Sequence, residues 1–165
     1  MQSIQTVSEN TIYVGASDRR LAKFENLFPI PRGVSYNAYV ILDEKTALLD
    51  TADASVGAQF LENVAAALDG RKLDYLIVDH MEPDHAAMIE AVLVRWPDLR
   101  LVVNAKTLPM LKMYFPTDSA AFDDALVVKE GDTLDLGKHK LTFVMAPMVH
   151  WPEVMMTFDT TTGTL

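Results

Sequence analysis

The spacing of apolar residues in the first half of the chain predicts strands that alternate with a helix. Residues 37–42 and 46–50 are mostly apolar runs joined by a short polar turn, which indicates two neighbouring strands. Over residues 56–68 the apolar positions recur at three- and four-residue steps, so we predict an amphipathic helix that ends at Gly70. Residues 73–78 form another mostly apolar run, which predicts a buried strand.

The second half of the chain continues this alternation. Helices are predicted over residues 86–95 and 106–114, with Trp96 and Pro97 closing the first of them. The segment 115–124 has no clear period and is predicted to be irregular. Further strands are predicted at 101–103, 125–128, 133–136, 140–146 and 154–159, with a turn at 160–163. The pattern indicates an α/β fold with its helices outside the sheets.

Composition excludes several classes of protein. The 165 residues are half apolar, which is enough for one domain with a core. A formal net charge of −9 argues against nucleic acid and anionic membranes as partners, because both attract basic patches. The absence of cysteine excludes disulfides, thiolate metal sites and cysteine nucleophiles. No signal peptide and no apolar run of membrane-spanning length is visible, so we expect a cytoplasmic protein.

Four side chains able to bind a metal ion lie within six residues, directly after the predicted strand at 73–78. They are His80, Glu82, Asp84 and His85. Two imidazoles and two carboxylates gathered by one loop suit a divalent metal or a pair of metals, and Pro83 stiffens the loop. The alternative is a solvated loop without a ligand. We favour the metal, because four such donors are clustered.

A second loop carries His150 and follows the predicted strand at 140–146. Pro147 and Pro152 bracket this loop, so it places one imidazole at a strand end. Taken alone, such a histidine is more often a structural loop residue. Beside the first cluster, His150 becomes the natural next ligand.

Three further polar residues receive predicted roles. His139 lies in a turn between two lysines and is predicted to be solvated. Asp159 is predicted to begin a turn rather than to bind a metal. Asp50, at the end of a predicted strand, is a candidate partner that orients a ligand histidine. No serine or cysteine lies in a strained elbow, which disfavours a hydrolytic triad built on Asp84 and His85.

Four stretches carry a family resemblance that covers the chain from Tyr13 nearly to its end. They are residues 32–39 (RGVSYNAY), 45–51 (KTALLDT), 80–85 (HMEPDH) and 146–153 (APMVHWPE). In these stretches the chain resembles the flavodiiron proteins, also called A-type flavoproteins. The resemblance implies an α/β (α+β) fold, the metallo-β-lactamase-like αββα sandwich. Residues 1–165 would be an N-terminal portion of that domain, truncated within its second half at a turn that leaves 154–159 without one pairing partner.

The resemblance also implies a non-haem di-iron centre that reduces dioxygen to water, nitric oxide to nitrous oxide, or both. His80, Glu82 and His150 would bind one iron, and Asp84 and His85 would bind the second. No catalytic residue beyond these ligands is implied. Related hydrolases typically carry histidine at the position of Glu82 and bind zinc. A carboxylate there adds negative charge and a hard oxygen ligand, which favours iron.

Electrons in this family come from FMN in a C-terminal flavodoxin-like domain, which meets the di-iron site of the partner subunit in a head-to-tail dimer. The expected partners are therefore a flavin domain or protein as electron donor and a second copy in a homo-oligomer. The 165 residues contain neither the flavodoxin-like domain nor the family's bridging carboxylate and last histidine ligand. FMN is thus not expected to bind to this chain alone, and we expect at most one tightly bound iron.

Two other functions stay open on the sequence alone. One is a hydrolase of the metallo-β-lactamase superfamily that uses a metal-activated water, against which Glu82 counts. The other is a non-catalytic module that binds metal or docks an open strand edge onto another chain.

Overall fold

Two large sheets and a layer of helices make up the computed structural model, which describes residues 3–24, 26–115 and 120–165. The strands are β1 (Gln5–Ser8), β2 (Thr11–Tyr13), β3 (Ala16–Asp18), β4 (Lys23–Phe24), β5 (Phe28–Pro29), β6 (Val34–Tyr36), β7 (Tyr39–Leu42), β8 (Thr46–Leu49), β9 (Tyr75–Ile77), β10 (Arg100–Asn104), β11 (Leu126–Val128), β12 (Thr133–Asp135), β13 (Lys140–Met145) and β14 (Met155–Asp159). The α-helices are α1 (Gly57–Leu68), α2 (Pro83–Ala86), α3 (Ile89–Arg95), α4 (Thr107–Tyr114) and α5 (Ala120–Asp123), and a 3₁₀ turn (Ala54–Val56) precedes α1.

The larger sheet has seven strands in the order β1-β2-β7-β8-β9-β10-β11. Its first four strands pair antiparallel, whereas β8, β9, β10 and β11 run parallel. The smaller sheet is an antiparallel arrangement of β12, β13 and β14. Two short antiparallel pairs, β3 with β6 and β4 with β5, complete the strands of the described residues. Because parallel strands end at the same edge of a sheet, the loops after β8, β9 and β10 meet there.

Alternation along the central strands builds a separate apolar cluster on each face of the larger sheet. Val40 and Leu76 belong to the cluster under the helices, while their neighbours Ile41 and Ile77 face the smaller sheet. All five α-helices give buried apolar side chains to the first cluster, including Phe60, Ala86, Ile89, Leu111 and Phe122. The second cluster joins the two sheets through Leu134, Leu136, Leu141, Phe143 and Met155. The resulting layers, helices then sheet then sheet, are the first three of the predicted αββα sandwich.

The helix predicted over residues 56–68 is confirmed, and its ends have local causes. The Asp53 side chain accepts a hydrogen bond from the backbone N–H of Ser55 and so caps the 3₁₀ turn before α1. At the other end, Asp69 adopts a left-handed conformation with φ 47°, and Gly70 follows with φ 81°. Two consecutive left-handed residues cannot continue the helix.

The prediction for residues 86–95 was wrong at its start. Helical structure begins earlier, at Pro83, and breaks between α2 and α3. Proline is well suited to a first helical position because its missing N–H has no partner there in any helix. At this break, backbone groups of the helices bond to Thr51. Its hydroxyl donates to the carbonyl of His85 at 2.6 Å and accepts from the N–H of Met88 at 3.3 Å.

Two other segments differ from the sequence-based expectation. Residues 5–36 contain the six strands β1 to β6, which the apolar pattern did not predict. These strands have only two to four residues each, too few to show an alternation. Residues 115–124 were predicted to be irregular, but α5 forms at Ala120–Asp123, and residues 116–119 lie outside the described residues. Among the described residues, every helix is too short or too polar to cross a bilayer.

The prediction that His139 is solvated was wrong. Its side chain is buried, and its Nδ1 lies 2.8 Å from Oδ2 of Asp159. The lysines on either side of it are exposed, so His139 is the inward-facing residue of a strand-like alternation. The polar residues around it in the sequence gave no indication of this. Asp159 also accepts from the N–H of Thr161 and the hydroxyl of Thr162, and it begins the turn as predicted.

Candidate metal centre

Two loops from different sheets meet at the carboxyl edge of the parallel strands. The 80–85 loop follows β9 of the larger sheet, and the loop of residues 146–154 connects β13 to β14 of the smaller sheet. The N–H of Met155 donates to the carbonyl of Asp79 at 3.0 Å, and the Thr157 hydroxyl donates to Oδ1 of Asp79 at 2.8 Å. These bonds hold the start of one loop against the end of the other.

Three of the five predicted ligands converge where the loops meet. His80, Glu82 and His150 each offer one ligand atom, and these atoms all lie within 4.8 Å of one another. Oε2 of Glu82 lies 3.1 Å from Nε2 of both histidines. His80 and Glu82 are buried, whereas the side chain of His150 is 65% exposed, so the group opens to solvent on one side.

Asp84 and His85 lie beside this group rather than within it. The ring centroids of His85 and His80 are 5.1 Å apart, and Nε2 of His85 lies 3.6 Å from Oδ2 of Asp84. Oδ1 of Asp84 is buried and has no hydrogen-bond partner among the described residues. Burial raises the pKa of Asp84 above its ordinary value. A buried carboxylate oxygen without a hydrogen-bond partner is energetically costly. A cation bound beside it and the neighbouring imidazole would offset that cost.

In His80 and in His85, Nδ1 lies within hydrogen-bonding distance of a carboxylate oxygen. Nδ1 of His85 lies 2.9 Å from Oδ2 of Asp50, which is the contact predicted for Asp50. Nδ1 of His80 lies 2.8 Å from Oε1 of Glu153. Sequence reasoning gave Glu153 no role, because it is 73 positions from His80 and no local pattern links them. Its one sequence signal is an acidic residue in a loop that is apolar apart from His150.

Electrostatics around His85 favour its protonated form in the metal-free chain. Burial lowers the pKa of His85, but the hydrogen bond and charge of Asp50, with the charges of Asp84 and Glu82, outweigh burial and raise it to about 9. Asp50 has a left-handed backbone with φ 53°, and its Oδ1 accepts the N–H of Asp79 at 2.7 Å. A cation bound at this place would therefore displace a proton from His85. Its positive charge would then balance the negative charges of the surrounding carboxylates.

A cleft of about 440 Å³ reaches the group from the side of the short strands β4 and β6. Glu82, Pro83 and Asp84 form its inner wall. Its outer wall consists of Leu21, Lys23, Phe24, Asn26, Tyr36, Asp53 and Ser55. Burial raises the pKa of Tyr36, so its hydroxyl keeps its proton. On the opposite side, the ring of Trp151 meets that of His80 edge-on, with centroids 5.2 Å apart. The cleft has room for a small molecule next to the two carboxylates.

The donor set fits iron. Its members are two imidazole nitrogens and one carboxylate oxygen in the converging group, with a further carboxylate and imidazole alongside. Two histidines and one carboxylate that leave positions open are a frequent arrangement for non-haem iron. Thiolate ligands are absent because the 165 residues include no cysteine.

Comparisons with known proteins agree on one family. Residues 34–165 match a family described as the ODP family beta lactamase. A putative diflavin flavoprotein A 1 from Thermosynechococcus vestitus is 38% identical over 162 residues, which are 96% of this chain and 27% of that relative. A nitric oxide reductase from Moorella thermoacetica is 36% identical over 153 residues, which are 92% of this chain and 38% of that relative.

Solved structures give the same result. The rubredoxin oxygen:oxidoreductase from Desulfovibrio gigas has 31% sequence identity to this chain and a TM-score of 0.88, over 95% of this chain and 38% of its own. This likeness confirms the predicted fold class. The chain spans well under half the length of each of these relatives.

Proposed function

The chain belongs to the ODP beta-lactamase family of the flavodiiron proteins, and we propose that it is the N-terminal portion of a flavodiiron oxidoreductase. The whole enzyme reduces dioxygen to water, nitric oxide to nitrous oxide, or both. The observation that carries the proposal is the convergence of His80, Glu82 and His150. Two relatives named as a nitric oxide reductase and a rubredoxin oxygen:oxidoreductase support the same chemistry.

The five predicted ligands divide between two irons in this proposal. His80, Glu82 and His150 hold one iron, and Asp84 and His85 contribute to the second. When bound, a di-iron centre supplies electrons and a Lewis-acidic place for a diatomic substrate. The close approach of the His80 and His85 rings supports a site for two metals that lie side by side.

The residues around the ligands orient them and adjust their charge. Asp50 and Glu153 accept the Nδ1–H protons of His85 and His80, which leaves the Nε2 lone pairs free to face the centre. The Glu82 carboxylate adds a negative charge between two imidazoles, which favours a hard, oxidisable cation over zinc. The Trp151 ring packs edge-on against the His80 ring and limits its movement.

The cleft beside Glu82 and Asp84 is the proposed route for the substrate. Dioxygen and nitric oxide are small and weakly polar, so the route needs little more than space that reaches the ligands. Both reductions also consume protons. The protonated Tyr36 hydroxyl in the wall of the cleft is available to donate a hydrogen bond to a polar product that leaves by the same path.

Electron supply requires a further component in this proposal. FMN, held by a flavin domain or a separate flavoprotein, delivers the electrons, and this chain alone does not bind it. A homo-oligomer in which the donor of one copy faces the metal centre of another is the expected assembly. The chain spans only part of its relatives, and their names include a diflavin flavoprotein, which supports this division.

The experiment that tests the proposal is the intact mass of the native protein together with its iron, zinc and flavin content. We expect a longer polypeptide or a complex with two irons and one FMN per unit. Substrate consumption is then measured in two assays. In one, a reductant and nitric oxide are added under anaerobic conditions, and in the other, a reductant and dioxygen are added. A protein that contains zinc without iron, or that hydrolyses esters and consumes neither gas, would contradict the proposal.

A further inference from the structure

We infer that Glu153 is a positioning residue that fixes the His80 ring for metal binding. It does so by accepting the Nδ1–H proton, so that only Nε2 is presented to Glu82 and His150. The inference rests on the proposed function, because it assigns Glu153 a task at the proposed iron site. Glu153 is not a metal ligand in this assignment, and it acts through His80 alone.

Glu153 combines deep burial with two contacts to the 80–85 loop. Its side chain is 0% exposed, and Oε1 lies 2.8 Å from Nδ1 of His80. The same oxygen accepts the backbone N–H of Met81 at 3.0 Å. One buried oxygen therefore holds both the ring and the backbone beside it, which leaves the 80–85 loop little freedom to rotate the imidazole.

Glu153 is itself held in place from the far side. Its carbonyl accepts the side-chain N–H of Asn104 at 2.5 Å. The exposed Lys106 side chain instead donates from Nζ to the carbonyl of the preceding residue, Pro152, at 3.1 Å. Oδ1 of Asn104 accepts the N–H groups of Lys106 and Thr107, which begin α4. Asn104 therefore ties the backbone of Glu153 to the end of β10 and the start of α4, and the Glu153 side chain in turn holds the His80 ring.

The chemistry of imidazole explains why this contact matters. A neutral histidine binds a metal through the nitrogen that lacks a proton, and a carboxylate on the other nitrogen selects that tautomer and strengthens the ligand. Oε2 of Glu153 is buried and makes no hydrogen bond with the described residues, so Oε1 carries the interaction. A glutamine whose carbonyl replaces Oε1 retains both bonds and loses the charge, and it places its NH2 group where Oε2 has no hydrogen-bond partner among the described residues.

Substitutions at Glu153 separate orientation from charge, and Co²⁺ is the probe. We compare Glu153→Ala, Glu153→Gln and the control Lys106→Met, which removes a bond to the same loop without touching His80. Dissociation constants come from titration with Co²⁺. Proton NMR of the Co²⁺-loaded chains then follows the exchangeable Nδ1–H signal of His80, assigned by its proximity to the backbone N–H of Met81, which donates to the same oxygen.

Glu153→Ala is expected to weaken Co²⁺ binding by about 10- to 100-fold and to expose the His80 Nδ1–H to rapid solvent exchange. Glu153→Gln recovers most of the affinity and keeps the signal, but at a shifted position because the charge is gone. Lys106→Met leaves both readouts near those of the unsubstituted chain. If Glu153→Ala does not fold, the shift in Glu153→Gln decides: a moved signal supports the inference, and an unmoved one overturns it.

Two results would overturn the inference and are distinguishable from failure of the proposed function. One is a Glu153→Ala chain that folds and binds Co²⁺ with unchanged affinity and an unchanged His80 signal. The other is an equal loss of affinity in Glu153→Ala and Lys106→Met, which would show that only the loop matters. A chain that binds no Co²⁺ before any substitution would instead refute the metal site itself, and the inference with it.

Discussion

A carboxylate stands between two imidazoles at Glu82, and its charge decides which metal suits the group. Oε2 lies 3.1 Å from Nε2 of both His80 and His150, so any cation bound there shares this oxygen. Softer nitrogen ligands alone suit zinc well, whereas a hard anionic oxygen stabilises iron and its oxidised state.

Replacing Glu82 with histidine is therefore expected to shift the bound metal from iron toward zinc. Glu82→His and the unsubstituted chain are produced with both metals in the medium, and elemental analysis gives the iron-to-zinc ratio. The control is Glu90→His, which makes the same change on an exposed position of α3. An iron-to-zinc ratio that is the same in all three chains would refute the role given to Glu82.

Asp18 is a buried carboxylate with a structural role. The backbone N–H and guanidinium of Arg20 donate three hydrogen bonds to it, at 2.7, 3.2 and 3.0 Å. These hydrogen bonds lower the pKa of Asp18 from 3.8 to about 2. Because the folded-state pKa lies below the unfolded-state value, the ionised group stabilises the fold above that unfolded value. The stabilisation is lost as the pH falls through about 2.

Asp18→Asn is accordingly expected to lower the melting temperature at neutral pH, and the difference from the unsubstituted chain should shrink below about pH 4. Melting curves followed by circular dichroism between neutral and strongly acidic pH measure this. Asp98→Asn, at an exposed position, serves as the control. A melting difference for Asp18→Asn that persists undiminished to the lowest pH would show that its cause is not the charge.

Local patterns in the sequence predicted the ligand candidates but not what holds them. His80, Glu82 and His150 are visible because metal-binding residue types gather at two strand ends. The buried positions of Glu153 and His139 were not predicted. A buried polar residue is recognised by its hydrogen-bond partner, and in both cases that partner is distant in the sequence. The division of the five residues, with Asp84 and His85 apart from the converging group, follows the expectation that came from the family resemblance and not from a local pattern.

At the scale of elements, the His139–Asp159 pair ties the β12–β13 turn to the end of β14. The backbone N–H of His139 also donates to Oδ2 of Asp43, in the turn between β7 and β8. The pair therefore fastens the smaller sheet along one edge and joins it to the larger one. Both side chains are buried, so the loss of either partner removes a hydrogen bond from a buried polar group.

His139→Ala is expected to reduce the free energy of unfolding by about 1–3 kcal/mol, because Asp159 is left buried without its imidazole. Urea denaturation followed by tryptophan fluorescence gives this value. Lys138→Ala, one residue earlier and exposed, is expected to change stability by less than about 0.5 kcal/mol. Equal effects of the two substitutions would mean that the pair contributes nothing beyond the turn itself.

Long periodic elements could be predicted from sequence, and short ones could not. The helix α1 and the central strands β7 to β10 repeat their apolar pattern often enough to be recognised. The strands β1 to β6 exist because of their cross-strand partners, which the sequence does not place beside them. The break between α2 and α3 likewise depends on Thr51, a residue from another loop.

At the scale of the whole molecule, one converging group of three ligands limits how much metal this chain holds. Asp84 and His85 give the second proposed iron only two ligands, and three or more protein ligands are usual for tight binding. Chain purified and loaded with Fe²⁺ under anaerobic conditions is therefore expected to retain at most one iron after desalting. His150→Ala removes one of the three converging ligands, so this variant is expected to retain no iron.

Iron counted by elemental analysis, against protein concentration from amino-acid analysis, checks this stoichiometry. Lys138→Ala serves again as a control, since it lies outside the metal centre. Two irons retained by a monomeric chain would contradict the expectation. Two irons retained only in a dimer would show that a second copy supplies the missing ligands.

The origin of the ligands in two different sheets gives a bound ion a mechanical role. His80 and His150 are 70 positions apart, and the segment between them contains α2 to α5 and β10 to β13. An ion held by both closes that segment into a ring, as a disulfide would in a chain that had cysteines. Closing a ring of this size removes conformational freedom from the unfolded chain worth about 4 kcal/mol. A bound ion would then link the two sheets of the sandwich, and its removal would lower the stability of the fold as well as empty the site.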